Sequence, residues 1–174
     1  MNLQLLVRLL VPAVLVTLFY LLRDRAKVSP KAEVELSRRI RFGRGSVVGS
    51  FSKIKDAGGP LWIGRGVEIA TNCFLASGAG GLEIGDDCML GPGSMLIANN
   101  HRYELLNVSI RSQGLSSRGI RIGNDVWIGA GAVVLDGSTI ESGVIVAPNA
   151  VVSGRIPKHA IVQGNPAKVI FTRR

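Results

Sequence analysis

Aromatic side chains make up only 5% of this 174-residue chain, and cysteine and histidine occur twice each. So few rings leave little of the bulk that ordinarily fills a globular core. The two cysteines, Cys73 and Cys88, make neither a disulfide framework nor a CxxC site. No stripe of basic residues interleaved with aromatics is present, so nucleic acid is not the partner that the formal net charge of +9 points to. A polyphosphate cofactor or an anionic lipid accounts for that charge better. What the chain does have is glycine, 22 of them, which suits a repetitive fold with tight turns and small inward side chains. The length allows one domain.

The charge is unevenly placed. Residues 1–41 hold eight Lys/Arg against three Asp/Glu, a net +5, and residues 42–174 hold thirteen against nine, a net +4. Within the first block, Leu9 to Leu22 reads LLVPAVLVTLFYLL, with Thr17 as its one polar side chain. Extended back to Leu3 the segment reaches 20 residues and takes in Gln4 and Arg8. As a helix it would be about 30 Å long, the hydrocarbon thickness of a bilayer. Arg23, Arg25, Lys27 and Lys31 follow, a flank that keeps what comes after on the cytoplasmic side. No A-x-A-like cleavage site follows the apolar run. Residues 1–22 are therefore expected to form a hydrophobic helix that associates with membrane lipid through residues 3–22, spanning it or lying on it. The alternative is a helix, kinked at Pro12, that packs on its own domain or on sister subunits. Residues 23–41 read as a basic linker or short helix.

From Ile122 onward an aliphatic residue returns every six positions: Ile122, Ile128, Val134, Ile140, Val146 and Val152. Four residues after each stands Val126, Ala132, Ser138, Val144, Ala150 or Ile156. The same phase holds at Ile63, Ile69 and Leu75, at Ile84, Leu90 and Leu96, and more faintly at Phe42, Val48 and Ile54. Six fits neither a helix nor a simple strand alternation. It fits a short strand and a turn, with one large and one small side chain inward, three such units making one coil of a triangular prism. The phrases LWIG, LEIG and IRIG, at Leu61, Leu82 and Ile120, mark re-entry after longer turns. The predicted fold is all-β: a parallel β-helix of hexapeptide repeats over 42–170, with the hydrophobic helix before it and a basic tail, 171–174, after it. Cys73 and Cys88 fall at small inward positions and read as space-filling thiols.

One stretch breaks the phase. From Leu96 to Ile122 the chain runs 26 residues, not a multiple of six, so 97–121 is an excursion from the prism. Long unrepetitive loops in compact folds are commonly functional. This one carries His101.

The segment from IGNDVWIGAGA to GNPAKVI, with the upstream histidine loop, closely resembles the hexapeptide-repeat acyltransferases, and most of all the sugar O-acetyltransferases. The resemblance implies a left-handed winding, a homotrimer, and acetyl-CoA bound in a groove between neighbouring prisms. It implies His101 as the base that takes the acceptor's proton, a role for which imidazole is suited near neutral pH. Asn72 or Asn100 is the candidate helper, with Asn99 two before the histidine as a third; Ala70 competes with Asn72 for the family's asparagine position. Trp127, Gly129, Ala130, Pro148, Ser153 and Lys168 match cofactor-contacting positions, with Arg173 and Arg174 as further cations for phosphate. Tyr103 and Glu104, with Arg111 and Arg118, stand where an acceptor would be met. His159 reads as an exposed structural residue.

The function so implied is acetyl-CoA-dependent O-acetylation of a sugar hydroxyl in cell-surface polysaccharide biosynthesis, the acceptor a sugar or lipid-linked glycan. The expected place is the cytoplasmic face of the bacterial inner membrane. No metal is expected, since a metal-dependent hydratase on this fold would need three histidines. An N-acetyltransferase acting on an aminosugar and a non-catalytic β-helix scaffold are the alternatives.

Overall fold

A computed structural model describes residues 11–174. They form a left-handed parallel β-helix, each coil giving one strand to each of three faces. The first coil is β1 (Lys27–Val28), β2 (Glu33–Val34) and β3 (Ile40–Phe42); the second is β4 (Val47–Val48), β5 (Lys53–Lys55) and β6 (Leu61–Ile63). The third is β7 (Glu68–Ile69), β8 (Phe74–Ala76) and β9 (Leu82–Ile84). The fourth begins with β10 (Met89–Leu90) and β11 (Met95–Ile97), leaves the prism through β12 (Asn100–His101) and β13 (Leu115–Ser116), and returns at β14 (Ile120–Ile122). Then come β15 (Trp127–Ile128), β16 (Val133–Leu135) and β17 (Thr139–Ile140), and β18 (Ile145–Val146), β19 (Val151–Val152) and β20 (Arg155–Ile156). A hairpin of β21 (Ala160–Gln163) and β22 (Lys168–Thr172) closes the end. The first face stacks β1-β4-β7-β10-β15-β18-β21-β22, the second ends in β19 and the third in β20.

The register explains the period. Leu90 lies over Ile69 and under Ile128, and Leu96 lies between Leu75 and Val134, so identical phases stack into apolar columns. Every large inward position predicted from the repeat is buried, and so is every small one, Cys73 and Cys88 included. The glycine that follows the inward residue of β3, β6, β9 and β14 on the third face also has a steric reason. A Cβ on Gly64 would lie 2.5 Å from the backbone of Gly85, and one on Gly85 would lie 2.6 Å from that of Gly123. Successive coils touch there backbone to backbone.

The stretch 23–41, expected as a basic linker or short helix, is instead the end of a helix followed by the first coil of the prism. Its cations stand on outward positions and hide a pattern in which Val28, Val34 and Ile40 point inward and are buried. At the other end β22 runs to Thr172, into the expected tail, because it pairs antiparallel with β21.

Helix α1 (Ala13–Asp24) caps the amino-terminal end. Pro12 precedes it, and Arg25 ends it in the left-handed region at φ 57°. Tyr20 is fully buried, edge-on to Phe42 at 5.0 Å between ring centres, and its hydroxyl donates to the Glu35 carbonyl at 2.5 Å. Asp24, also buried, accepts from the Phe42 N–H at 3.2 Å and pairs with Arg23 and Arg41. One side of the helix is thus latched to the first coil. Among the described residues no helix is long and apolar enough to cross a membrane, and residues 3–10 of the expected segment lie outside the described residues.

Candidate active site

The excursion is anchored at both ends. Ala98 donates its N–H to the Ala76 carbonyl at 2.9 Å, the last rung before the chain departs. On the return, the Ser117 hydroxyl donates to the Ala98 carbonyl and accepts the Gly80 N–H at 2.8 Å, tying exit to entry. Two residues on, the Asp136 carboxylate accepts the N–H groups of Arg118 and Gly119, each at 2.8 Å. Between these anchors Asn100 faces Ser116 and His101 faces Leu115 in a two-rung antiparallel ladder. The far turn is held by Gln113, whose amide donates to the carbonyls of Leu105 and Val108, both at 2.9 Å, and accepts the Leu105 N–H at 3.0 Å.

His101 is therefore carried on a braced hairpin, exposed, at the edge between the second and third faces. Asn100, Tyr103 and Glu104 are exposed on the same arm, and a Glu104 oxygen accepts the Tyr103 N–H at 3.1 Å. Ser153, exposed just after β19, lies on this edge above the hairpin's base. Arg118 stands against Asp136 at the return.

The remaining predicted residues lie elsewhere. Trp127 is half-exposed on the first face, between Met89 and Ile145. Gly129 and Ala130 turn the edge between the first and second faces, with Pro148 stacked on Gly129 closely enough that a Cβ there would lie 2.6 Å from the Pro148 nitrogen. Lys168 is exposed at the start of β22, paired with Gln163 on the first face. Asn72 is exposed on the edge that holds Gly129, one strand of the second face away from the hairpin. Its φ is 59°, at the corner position that Gly93, Gly131 and Asn149 fill on other coils, and asparagine tolerates that conformation. Within one copy the chain thus gathers His101, Asn100, Tyr103, Glu104 and Ser153 on one edge. Trp127, Gly129, Ala130, Pro148 and Asn72 belong to another.

Neither cysteine offers a nucleophile in place of this chemistry. Burial pushes the Cys88 thiol up to about 11, which leaves it protonated at neutral pH. Cys73 is buried too, its Sγ donating to the Gly91 carbonyl at 3.3 Å. His159 holds a left-handed turn at φ 61°, its ring packed over Gly143. Arg173, a candidate for phosphate, donates to the Gly143 carbonyl at 3.0 Å. The residues that sequence reasoning missed are the anchors, Ser117 and Asp136. Asp136 sits in LDGS, which reads as one more turn of the repeat.

Comparison with known proteins agrees with this architecture. Residues 119–154 match the family model described as bacterial transferase hexapeptide (six repeats). A protein of Mycobacterium tuberculosis named as an acetyltransferase is 32% identical over 82% of the chain, which spans 45% of that protein's length. The chloramphenicol acetyltransferase of Agrobacterium fabrum is 35% identical, over 83% of this chain and 75% of that one. A protein of Escherichia coli named as a lipopolysaccharide biosynthesis O-acetyl transferase, WbbJ, is 29% identical over 75% of this chain and 70% of its own. Among solved structures, AntD, an N-acyltransferase from Bacillus cereus in complex with dTDP and coenzyme A, superposes with a TM-score of 0.78 at 19% identity, over 90% of this chain and 88% of that one. The perosamine N-acetyltransferase of Caulobacter crescentus, in complex with CoA and GDP-perosamine, is 27% identical with a TM-score of 0.54, over 83% of this chain and 55% of that one. The chain belongs to the hexapeptide-repeat acetyltransferases.

Proposed function

We propose that this protein transfers an acetyl group from acetyl-CoA to a hydroxyl of a sugar in cell-surface polysaccharide biosynthesis, working as a homotrimer. The observation that carries the reading is His101, held exposed on a hairpin clamped at both ends. The likeness to WbbJ favours a hydroxyl acceptor and a glycan. The donor's thioester supplies an activated acetyl carbonyl.

The residues on the first face fit that donor. Trp127 with Met89 and Ile145 gives an apolar strip for a pantetheine chain, Gly129 and Ala130 bring backbone to its edge, and Lys168 adds a cation for phosphate. His101 takes the acceptor's proton as the hydroxyl oxygen attacks the acetyl carbon; when the carbon–sulfur bond breaks, that proton returns to the departing thiolate. Backbone N–H groups at the corner are the donors at hand for the oxyanion between. Because the hairpin and the donor strip occupy different parts of one prism, the complete site takes His101 from one copy and Trp127 from its neighbour.

An amine acceptor is the second reading, favoured by the likeness to the perosamine enzyme. Incubation with acetyl-CoA and a panel of free sugars, nucleotide-sugars and lipid-linked sugars, each with and without an amino group, separates the two. Thiol release with a product heavier by one acetyl, stable to hydroxylamine only if an amide, identifies the acceptor atom. Release with no acceptor from the panel would remove the reading.

A further inference from the structure

The side of α1 turned away from the prism is apolar. Val14, Leu15, Leu18, Leu21 and Leu22 are all exposed, Leu22 at 81%. At about 100° per residue they fall within an arc of about 120°, opposite Tyr20 and Asp24, which are buried against the first coil. A soluble surface scatters such side chains singly; five in one stripe mark a surface that meets something apolar.

Charge says what that is. Arg25 ends the helix, Lys27 lies on the next strand, and Gly45 donates its N–H to the Arg25 carbonyl at 3.1 Å, which sets Arg44 beside them. Lys31 and Arg38 continue the ring around the first coil. All five cations are exposed, and none forms an ion pair among the described residues. The carboxylates at this end are otherwise engaged: Asp24 with Arg23 and Arg41, Asp56 with Arg39, Glu33 with Lys53, and Glu35 with the Asp56 N–H. A leucine stripe rimmed by cations outside any ion pair, of which Lys31 lies over the Phe51 ring, complements a bilayer surface with anionic headgroups, acyl chains beneath and phosphates above. The 12 described residues of the helix are about 18 Å long, enough to lie in that surface.

We infer that α1 docks this end of the prism on an anionic phospholipid bilayer, with Leu15, Leu18 and Leu22 among the acyl chains and Arg25, Lys27 and Arg44 at the phosphates. The buried face carries Tyr20 and Asp24 and so couples the helix rigidly to the prism. Three coil steps of about 4.8 Å then separate the membrane end from the coil that carries His101. That coil stands about 14 Å from the first coil, and the thickness of α1, about 10 Å, adds to its distance from the bilayer. Docking goes beyond the acetyl transfer proposed above and is measured without it.

The test is flotation of the full-length protein with vesicles of phosphatidylcholine, alone or mixed with phosphatidylglycerol. The wild type is expected to float with the mixed vesicles. Leu18→Ser/Leu22→Ser, on exposed positions, is expected to weaken binding by about tenfold or more. Arg25→Gln/Lys27→Gln is expected to lose the preference for phosphatidylglycerol, and added salt is expected to do the same to the wild type. Failure of the wild type to float overturns the inference, as does a double-serine variant that floats as well as the wild type. A change of oligomeric state in the double-serine variant without loss of flotation would give the stripe to a second copy, and overturns it too. Transfer to a soluble sugar by all variants alike keeps a failure of docking distinct from a failure of the proposed activity.

Discussion

One oxygen of the Asp136 carboxylate accepts the Gly119 N–H at 2.8 Å, and so fixes the point where the histidine hairpin rejoins the prism. The same oxygen accepts the Arg118 N–H at 2.8 Å, and the side chain is almost wholly enclosed. Asp136 lies one coil beyond the hairpin and holds it from behind. His101 owes its position to this contact, to the Ser117 hydroxyl and to its own backbone pairing with Leu115.

Removing the carboxylate strands two backbone donors. Asp136→Ala is expected to cost about 1–3 kcal/mol in denaturant unfolding, and Asp136→Asn, which keeps one acceptor oxygen, clearly less. Amide hydrogen exchange across 99–117 is expected to quicken in the alanine variant while the inward columns stay protected. An alanine variant with unaltered stability and exchange would show that the hairpin holds itself.

The glycine columns give a second expectation. Gly85→Ala drives a methyl against the Gly123 backbone at 2.6 Å, and overpacking of this kind costs about 1–3 kcal/mol. Gly93 differs, since nothing lies within 4 Å of its Cβ position and its φ is 71°. Gly93→Asn, the residue found at the equivalent turns of Asn72 and Asn149, is expected to melt close to the wild type. Equal melting shifts for the two variants would contradict close approach as the cause.

Much of this was legible before any coordinates. The six-residue phase named the large inward side chains from Phe42 to Val152 and the small ones from Val126 to Ile156, because stacking requires identical phases to align. The excursion announced itself as a length that six does not divide. The first coil was not legible, since its lysines and arginines are outward decoration that imitates a linker, and only Val28, Val34 and Ile40 betray it. The hairpin's pairing was hidden as well: Asn100–His101 and Leu115–Ser116 are two residues each, too short for any periodicity. Nor does a sequence reveal that His101 and Trp127 belong to different parts of one prism, a consequence of how the coils wind.

That separation has a direct consequence for mixed assemblies. A preparation of His101→Ala alone and one of Trp127→Ala alone are each expected to transfer poorly. Co-expressed as mixed oligomers, they form some sites with an intact histidine from one copy and an intact tryptophan from the next. Recovery of activity well above either parent is the expected result, measured as thiol release at fixed protein. No recovery in oligomers shown to be mixed would place the whole site within one copy.

The central claim is that His101 removes the acceptor's proton. It is tested most directly by thiol release from acetyl-CoA in the presence of the identified acceptor, for the wild type and His101→Ala at matched folding. The account predicts a fall in kcat of about 100-fold or more, with acetyl-CoA binding retained. Turnover undiminished in His101→Ala would contradict it.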